Sequence, residues 1–137
     1  MKIDHIAIWT HQLEALKHYY MSWFQAVAGP KYVNHLKQYE SYFLSFEGET
    51  RVEIMQRPDI PVNANDPVVN QYTGYIHIAF EVKSMDAVSE LAEQMSKAGL
   101  PILDGPRRTG DGYFEFVTID PDENRIEVTS AYLSPGL

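Results

Sequence analysis

Residues Gly74–Val82 read G-Y-I-H-I-A-F-E-V, a pattern that also occurs near the start of the chain. The apolar side chains of this stretch alternate with the others, as they do in a β-strand that has one covered face. This alternation places His77 on the face opposite Ile78 and Phe80. The stretch therefore predicts a strand that carries an imidazole on its uncovered side.

Two motifs of the chain occur twice and in the same order. H-I-A-I at positions 5–8 corresponds to H-I-A-F at 77–80, and R-V-E-I at 51–54 corresponds to R-I-E-V at 125–128. The histidine precedes the glutamate by 48 residues in the first copy and by 50 in the second. We infer an internal duplication of about sixty residues, in which each copy carries one histidine and one glutamate.

Composition narrows the function classes. The chain has 137 residues, a formal net charge of −8 and no cysteine. The acidic balance argues against a nucleic-acid partner, and the lack of cysteine excludes thiolate metal sites and a cysteine nucleophile. Neither a Gly-x-Gly-x-x-Gly motif nor a P-loop supports nucleotide binding. With no apolar stretch long enough to span a membrane, we expect a soluble, cytoplasmic protein with no membrane partner.

Each copy is predicted to form a strand, a helix and three further strands, which makes the fold class α+β with two βαβββ modules. The first module covers about 2–56 and the second about 74–130, within one domain of residues 1–137. Residues 57–73 are rich in proline and asparagine and read as a linker, with a lid as a second possibility. The tail 131–137 is expected to be loose.

Several positions predict where the helices and loops begin and end. Thr10 is expected to cap the first helix, which continues to Gly29–Pro30. Ser84 is expected to cap the second helix, and Gly99 to end it. The glycine-rich stretch Asp104–Gly112 reads as a loop between two strands.

Four residues lie between apolar neighbours that point to the opposite face of their strands: His5, Glu53, His77 and Glu127. A single strand histidine is commonly a hydrogen-bonded core residue, and a single strand glutamate is commonly solvated. Packing does not require both at matched positions of both copies, so the repetition favours ligation. If the copies pack about a pseudo-twofold axis, their uncovered faces form one concave sheet surface. Two imidazoles and two carboxylates there would suit a divalent ion such as nickel, zinc, cobalt, manganese or iron(II).

Four arginines are weaker candidates. Arg51 and Arg125 also repeat, and they either pair with carboxylates or extend along the strand ends, which we favour. Arg107 and Arg108 precede a glycine-rich stretch, where they would hold a substrate carboxylate or phosphate or simply form a solvated turn.

These motifs resemble the vicinal oxygen chelate superfamily, the group of glyoxalases, bleomycin-resistance proteins and extradiol dioxygenases. The sequence motifs that carry the resemblance are I-D-H-I-A-I at 3–8, G-Y-I-H-I-A-F at 74–80 and D-P-D-E-N-R-I-E-V at 120–128. The resemblance covers essentially the whole chain and implies two βαβββ modules that form a metal-bearing cavity. In that family the first strand of each module supplies a histidine and the last strand a glutamate.

A His-Glu-His-Glu set most resembles the bacterial glyoxalase I, or lactoylglutathione lyase, branch. This implies a lyase or isomerase that acts on a small vicinal-oxygen substrate, such as a glutathione hemithioacetal, through a metal-stabilised enediolate. Glu127 or Glu53 would move the proton. The alternatives are an epimerase or dioxygenase of the same superfamily and a non-catalytic protein that binds a small molecule or antibiotic.

Two positions depart from the glyoxalase I pattern. Trp9 stands where an arginine helps to hold glutathione, and Arg57 stands where an asparagine is common. We therefore count Trp9, with Arg107 and Arg108, among the candidate substrate-binding residues. Several relatives pair their modules across chains, which implies a homodimer here, although pairing within one chain is the alternative.

Overall fold

The computed structural model describes residues 1–132, which form nine strands and two helices. In chain order these are β1 (His5–Trp9), α1 (Leu13–Phe24), β2 (Val27–Ala28), β3 (Tyr32–Asn34), β4 (Tyr39–Ser45), β5 (Arg51–Gln56), β6 (His77–Glu81), α2 (Met85–Lys97), β7 (Ile102–Arg108), β8 (Tyr113–Ile119) and β9 (Arg125–Ala131). They belong to two compact units, Met1–Ala64 and a second that begins at Asn65. The tail expected to be loose begins at residue 131, but Ala131 belongs to β9 and the N–H of Tyr132 donates to the carbonyl oxygen of Gly112 at 3.0 Å, so the expectation is wrong for these two residues. Residues 133–137 lie outside the described residues.

The first unit contains a mixed sheet. Its strand order is β1-β5-β4-β2, and β3 also pairs with β4. Strands β1 and β5 run parallel, and the other pairs are antiparallel. Between the helix and β4 the sequence predicts one strand. The structure has two short strands there, β2 and β3, which both pair with β4 and are separated at Gly29–Pro30. Proline lacks the backbone N–H that a continuous ladder needs, which accounts for the interruption.

The second unit repeats this arrangement in the order β6-β9-β8-β7, with β6 parallel to β9. The register repeats as well, since Ala7 lies opposite Glu53 in one sheet and Ala79 lies opposite Glu127 in the other. The predicted α+β fold of two βαβββ modules is confirmed.

One face of the first sheet is covered by α1. Leu16 and Tyr20 of the helix, and Leu44 and Ile54 of the sheet, are fully buried. Burial of each such apolar side chain contributes roughly 1.5–3 kcal/mol. The opposite face of the sheet is not covered by the helix and is called here the open face. It carries the residues that alternate with the buried ones along each strand.

The second sheet packs against α2 in the same way. Val88 and Met95 on the helix are fully buried, as are Phe116, Ile126 and Val128 on the sheet. These positions alternate along β8 and β9, so the intervening residues face away from the helix. Each sheet therefore has one helix-covered face and one open face.

The limits of the first helix differ from the prediction. The side chain of Gln12, at the N-cap position, makes no capping hydrogen bond, and the Thr10 hydroxyl instead accepts from the backbone N–H of Gln12 at 2.9 Å. Thr10 therefore forms a turn before the helix, because its local hydrogen bond competes with capping. The helix ends at Phe24 rather than at Gly29–Pro30, since Gln25 adopts a left-handed conformation with φ 56°. After Gln25 the chain continues into β2, which pairs with β4.

The limits of the second helix agree with the sequence. Ser84 is the N-cap, and its hydroxyl accepts from the N–H of Ala87 at 3.1 Å. The helix ends at Lys97, and Gly99 follows with φ 82°, a conformation that glycine adopts without steric cost.

The stretch Asp104–Gly112 is not the loop that the sequence predicts, because its first half belongs to β7. Strand β7 continues to Arg108 and pairs with β8, with two shifts of register on the way. Gly105 has φ 80°, and a Cβ there would lie 2.5 Å from the carbonyl oxygen of Glu115. Glycine thus permits a close approach of the two backbones, so a glycine-rich composition marks an irregular hairpin here.

No helix within residues 1–132 is long and apolar enough to cross a membrane.

Candidate functional site

The open face of each sheet carries one His–Glu pair with the same geometry. His5 Nε2 lies 3.6 Å from Glu53 Oε2, and His77 Nε2 lies 3.6 Å from Glu127 Oε2. Both histidine side chains are 38% exposed, whereas the glutamate side chains are 11% and 17% exposed. The two copies therefore share the geometry of the pair as well as its sequence.

Strand pairing explains why the two members of a pair meet. Val52 and Ile54 are buried against the helix, so Glu53 between them projects to the open face. The parallel ladder sets Ala7 opposite Glu53, and His5 is the next residue on the same face. The methyl group of Ala7 leaves room for the imidazole and the carboxylate to approach each other.

The orientation of His5 is supported by its neighbour. Asp4 Oδ2 lies 2.7 Å from His5 Nδ1, and Arg51 Nη2 donates to the same oxygen at 2.8 Å. Hydrogen bonds from His5 and Arg51 hold the pKa of the Asp4 carboxyl below its usual value. An ionised Asp4 can only accept, so Nδ1 of His5 carries a proton and Nε2 is the ring nitrogen that faces Glu53.

Glu53 has a neutral hydrogen-bond donor. The hydroxyl of Tyr39 donates to Glu53 Oε1 at 2.5 Å, and Oε2 remains the oxygen that faces His5. Burial raises the pKa of Tyr39, and the hydrogen bond to Glu53 raises it further, so the hydroxyl keeps its proton. Tyr39 thus fixes the carboxylate while leaving one oxygen available.

Glu127 has a second carboxyl group beside it instead. Glu115 is buried, and its pKa is raised by that burial and by the nearby charge of Glu127, with which it shares a hydrogen bond. Arg107 Nη2 lies 3.7 Å from Glu115 Oε1. The two His–Glu pairs therefore have the same donor atoms but different electrostatic surroundings.

Sequence reasoning missed both Tyr39 and Glu115. The alternation within Tyr113–Ile119 contained the signal for Glu115, because Phe116 points to the helix and Val117 lies opposite Glu127. Glu115 must then share the open face with Glu127. Tyr39 had no such signal, since its contact with Glu53 depends on how β4 pairs with β5.

The repeated arginines have structural partners. The guanidinium of Arg51 pairs with Asp4 and lies 4.3 Å from the centroid of Phe43. Arg125 donates to the carbonyl oxygens of Pro67 and Val68 at 2.7 and 3.2 Å. Arg51 thus pairs with a carboxylate next to the site rather than with Glu53, and Arg125 holds the segment before the second module.

The three candidate substrate-binding residues, Arg107, Arg108 and Trp9, have different neighbours from one another. Arg107 donates to Asp104 Oδ2 at 2.8 Å, and Arg108 lies 4.9 Å from the centroid of Tyr132. Both belong to β7, so the expectation of a flexible loop around them is wrong. Trp9 ends β1 on the same open face as His5, and its side chain is 40% exposed.

The donor atoms of each pair fit a metal ion. A tetrahedral ion with ligands at about 2.1 Å separates neighbouring ligand atoms by roughly 3.4 Å, close to the observed 3.6 Å. Within residues 1–132, no group of three or more His, Cys, Asp or Glu side chains is arranged to hold a metal ion.

The protein is thus an α+β protein of two βαβββ modules, each with a His–Glu pair on the open face of its sheet. The model of the Glyoxalase/Bleomycin resistance protein/Dioxygenase superfamily matches residues 2–128. The chain belongs to this superfamily. No curated protein matches the sequence.

Several solved structures share the fold. The trypanothione-dependent glyoxalase I of Leishmania major is 24% identical, with a TM-score of 0.75 over 95% of this chain and 86% of the other. A glyoxylase/bleomycin resistance protein/dioxygenase domain from Frankia sp. EAN1pec is 15% identical, with a TM-score of 0.76 over 96% and 98%. A point mutant of the fosfomycin resistance protein FosX from Listeria monocytogenes, complexed with Mn(II) and a dihydroxypropylphosphonic acid, is 19% identical, with a TM-score of 0.69 over 98% and 94%.

Proposed function

We propose that the protein is a metal-dependent lyase or isomerase of the glyoxalase I type. The proposal places His5, Glu53, His77 and Glu127 on one divalent ion, with nickel, zinc, cobalt and manganese as candidates. The observation that carries it is the 3.6 Å contact between Nε2 and Oε2, which occurs identically in both modules. A purely structural ion pair has no need for the same atoms and the same distance at both copies.

The donor set suits this chemistry. When bound, a divalent ion would polarise two neighbouring substrate oxygens and stabilise the enediolate that forms when the adjacent C–H loses its proton. Two carboxylates would balance the charge of the ion, and the histidines would bind as neutral imidazoles through Nε2.

Proton transfer is assigned to the glutamates. A carboxylate beside the reacting carbons can remove a proton from one carbon and return it to the next. Oε1 of Glu53 accepts from the Tyr39 hydroxyl, and Glu127 shares a hydrogen bond with Glu115. Either Glu127 or Glu53 can therefore serve as the base.

The substrate is a small molecule with two vicinal oxygens, and the hemithioacetal of methylglyoxal and glutathione is the first candidate. Arg107 and Arg108 are candidates for its anionic groups. We also propose a homodimer working in the cytoplasm, which sedimentation analysis and fractionation of cells would test.

The test is turnover of this hemithioacetal by protein reconstituted separately with nickel, cobalt, zinc and manganese. We expect turnover that requires metal and that is lost in His77→Ala. His18→Ala is the matched control, because His18 is an exposed histidine of α1 outside both pairs.

Metal content is measured on the same preparations. Elemental analysis should find less metal in Glu127→Ala than in the wild-type protein, and equal content would contradict the ligand assignment. Metal binding without turnover would leave the ligands in place and exclude this hemithioacetal as the substrate.

A further inference from the structure

We propose that the first module selects substrates in which an aromatic ring is attached directly to the oxygen-bearing carbons. The ring would lie on an aromatic surface formed by Trp9, Tyr32 and Tyr39. This inference rests on the proposed function, because it names the substrate class of the same site.

The aromatic surface lies on the open face next to Glu53. The ring centroids of Trp9 and Tyr39 are 6.1 Å apart and those of Tyr32 and Tyr39 are 5.6 Å apart, both edge to face. Trp9 is 40% exposed and Tyr32 is 52% exposed. Aromatic faces left this accessible beside polar groups are typical of a binding surface.

Tyr39 connects this surface to the proposed chemistry. Its hydroxyl donates to Glu53 Oε1, while its ring contacts the rings of Trp9 and Tyr32. The aromatic surface therefore begins within the length of one phenol ring from the carboxylate. A substrate ring attached directly to the oxygen-bearing carbons would span that distance without an aliphatic spacer.

A cation is also in contact with Trp9. The guanidinium of Arg57 lies 5.4 Å from the centroid of Trp9, so one face of the indole is held by a cation.

The duplication provides an internal comparison. Trp9 lies opposite Met55 at the end of the parallel ladder, and Glu81 lies opposite Thr129 at the same place in the second module. The fold thus accepts a carboxylate where the first module has an indole. Packing does not demand the aromatic residue at position 9, which leaves ligand recognition as the reason we infer.

The experiment compares 2-hydroxyacetophenone with hydroxyacetone, which share the hydroxyketone group and differ in a phenyl or methyl substituent. Binding is followed by calorimetry and by the indole N–H signals in NMR spectra. The chain has two tryptophans, so Trp23→Phe assigns the signal of Trp9. We expect 2-hydroxyacetophenone to bind at least about tenfold more tightly and to shift the Trp9 signal.

Variants locate the preference. Trp9→Ala should abolish it, Trp9→Phe should retain most of it, and Tyr75→Ala is the control because Tyr75 is a fully exposed aromatic residue. Circular dichroism confirms that each variant is folded. Equal affinity for the two probes in the wild-type protein, or a preference that survives Trp9→Ala, would overturn the proposal. So would a Trp9→Ala variant that loses self-association but keeps the preference, because the aromatic surface would then be an interface between copies.

The same titrations in metal-loaded and EDTA-treated protein separate this proposal from the proposed function. A phenyl preference at Trp9 in a protein that binds no metal would refute the metal-dependent function and leave the aromatic surface standing. Metal binding with no phenyl preference would refute the role of the aromatic surface and leave the metal-dependent function standing.

Discussion

The hydroxyl of Tyr39 offers the sharpest test of how the site is built. It donates to Glu53 Oε1 at 2.5 Å, and Glu53 is buried. A hydrogen bond to a charged group contributes about 1.5–3 kcal/mol when water cannot replace it. Tyr39→Phe keeps the ring and removes only the hydroxyl, so we expect the free energy of unfolding to fall by about that amount.

The assay is urea unfolding of metal-free protein at pH 7, which excludes any effect of metal affinity. Tyr113→Phe is the matched control, because Tyr113 begins β8 as Tyr39 begins β4 and is 42% exposed. A surface change of this kind costs less than about 0.5 kcal/mol. Equal m values in wild type and variants would show that the same surface is exposed on unfolding.

A double-mutant cycle isolates the contact. If the hydroxyl acts through the carboxylate, Tyr39→Phe should cost much less in a Glu53→Gln background than in the wild type. Equal losses in Tyr39→Phe and Tyr113→Phe, or no coupling with position 53, would show that the Tyr39 hydroxyl does not hold the Glu53 carboxylate.

Three further substitutions follow from the structure of the second unit. Glu115→Gln should raise the free energy of unfolding of metal-free protein at pH 7 but not near pH 4, because burial and Glu127 raise the folded-state pKa of Glu115, so stability present at low pH is lost as pH rises; equal effects at both pH values in urea unfolding would contradict this. Ser84→Ala should cost about 1 kcal/mol in the same assay, because it removes the cap on the N–H of Ala87, and an unchanged midpoint would mean that water replaces the cap. Gly105→Ala should cost at least about 2 kcal/mol, since its Cβ would meet backbone in a left-handed conformation, and a neutral result would show that β7 can shift.

Sequence reasoning was most successful where the side-chain period of a strand decides the outcome. Alternation alone placed His5, Glu53, His77 and Glu127 on the faces opposite their apolar neighbours, and each histidine lies by the glutamate of its own copy. The period holds whatever the neighbouring strands are. The repeated motifs then predicted two modules of the same fold.

It was least successful where a contact depends on which strands become neighbours. Gln25, with its left-handed backbone, ends α1 before Gly29–Pro30, and β7 extends through Arg108 because β8 pairs with it. Neither outcome can be read from local composition, since glycine and proline mark a turn or an interruption within a strand equally well.

The class of fold, the four candidate ligands and the lack of cysteine chemistry could be predicted from the sequence, because they depend on residue type and on spacing along one strand. The side chains around these candidate ligands could not, because they come from other strands. Tyr39 reaches Glu53, and Glu115 lies beside Glu127, because the antiparallel registers of β4 and β8 bring together residues 14 and 12 positions apart in the chain. The two copies therefore share their donor atoms and differ in the side chain that hydrogen-bonds to each glutamate.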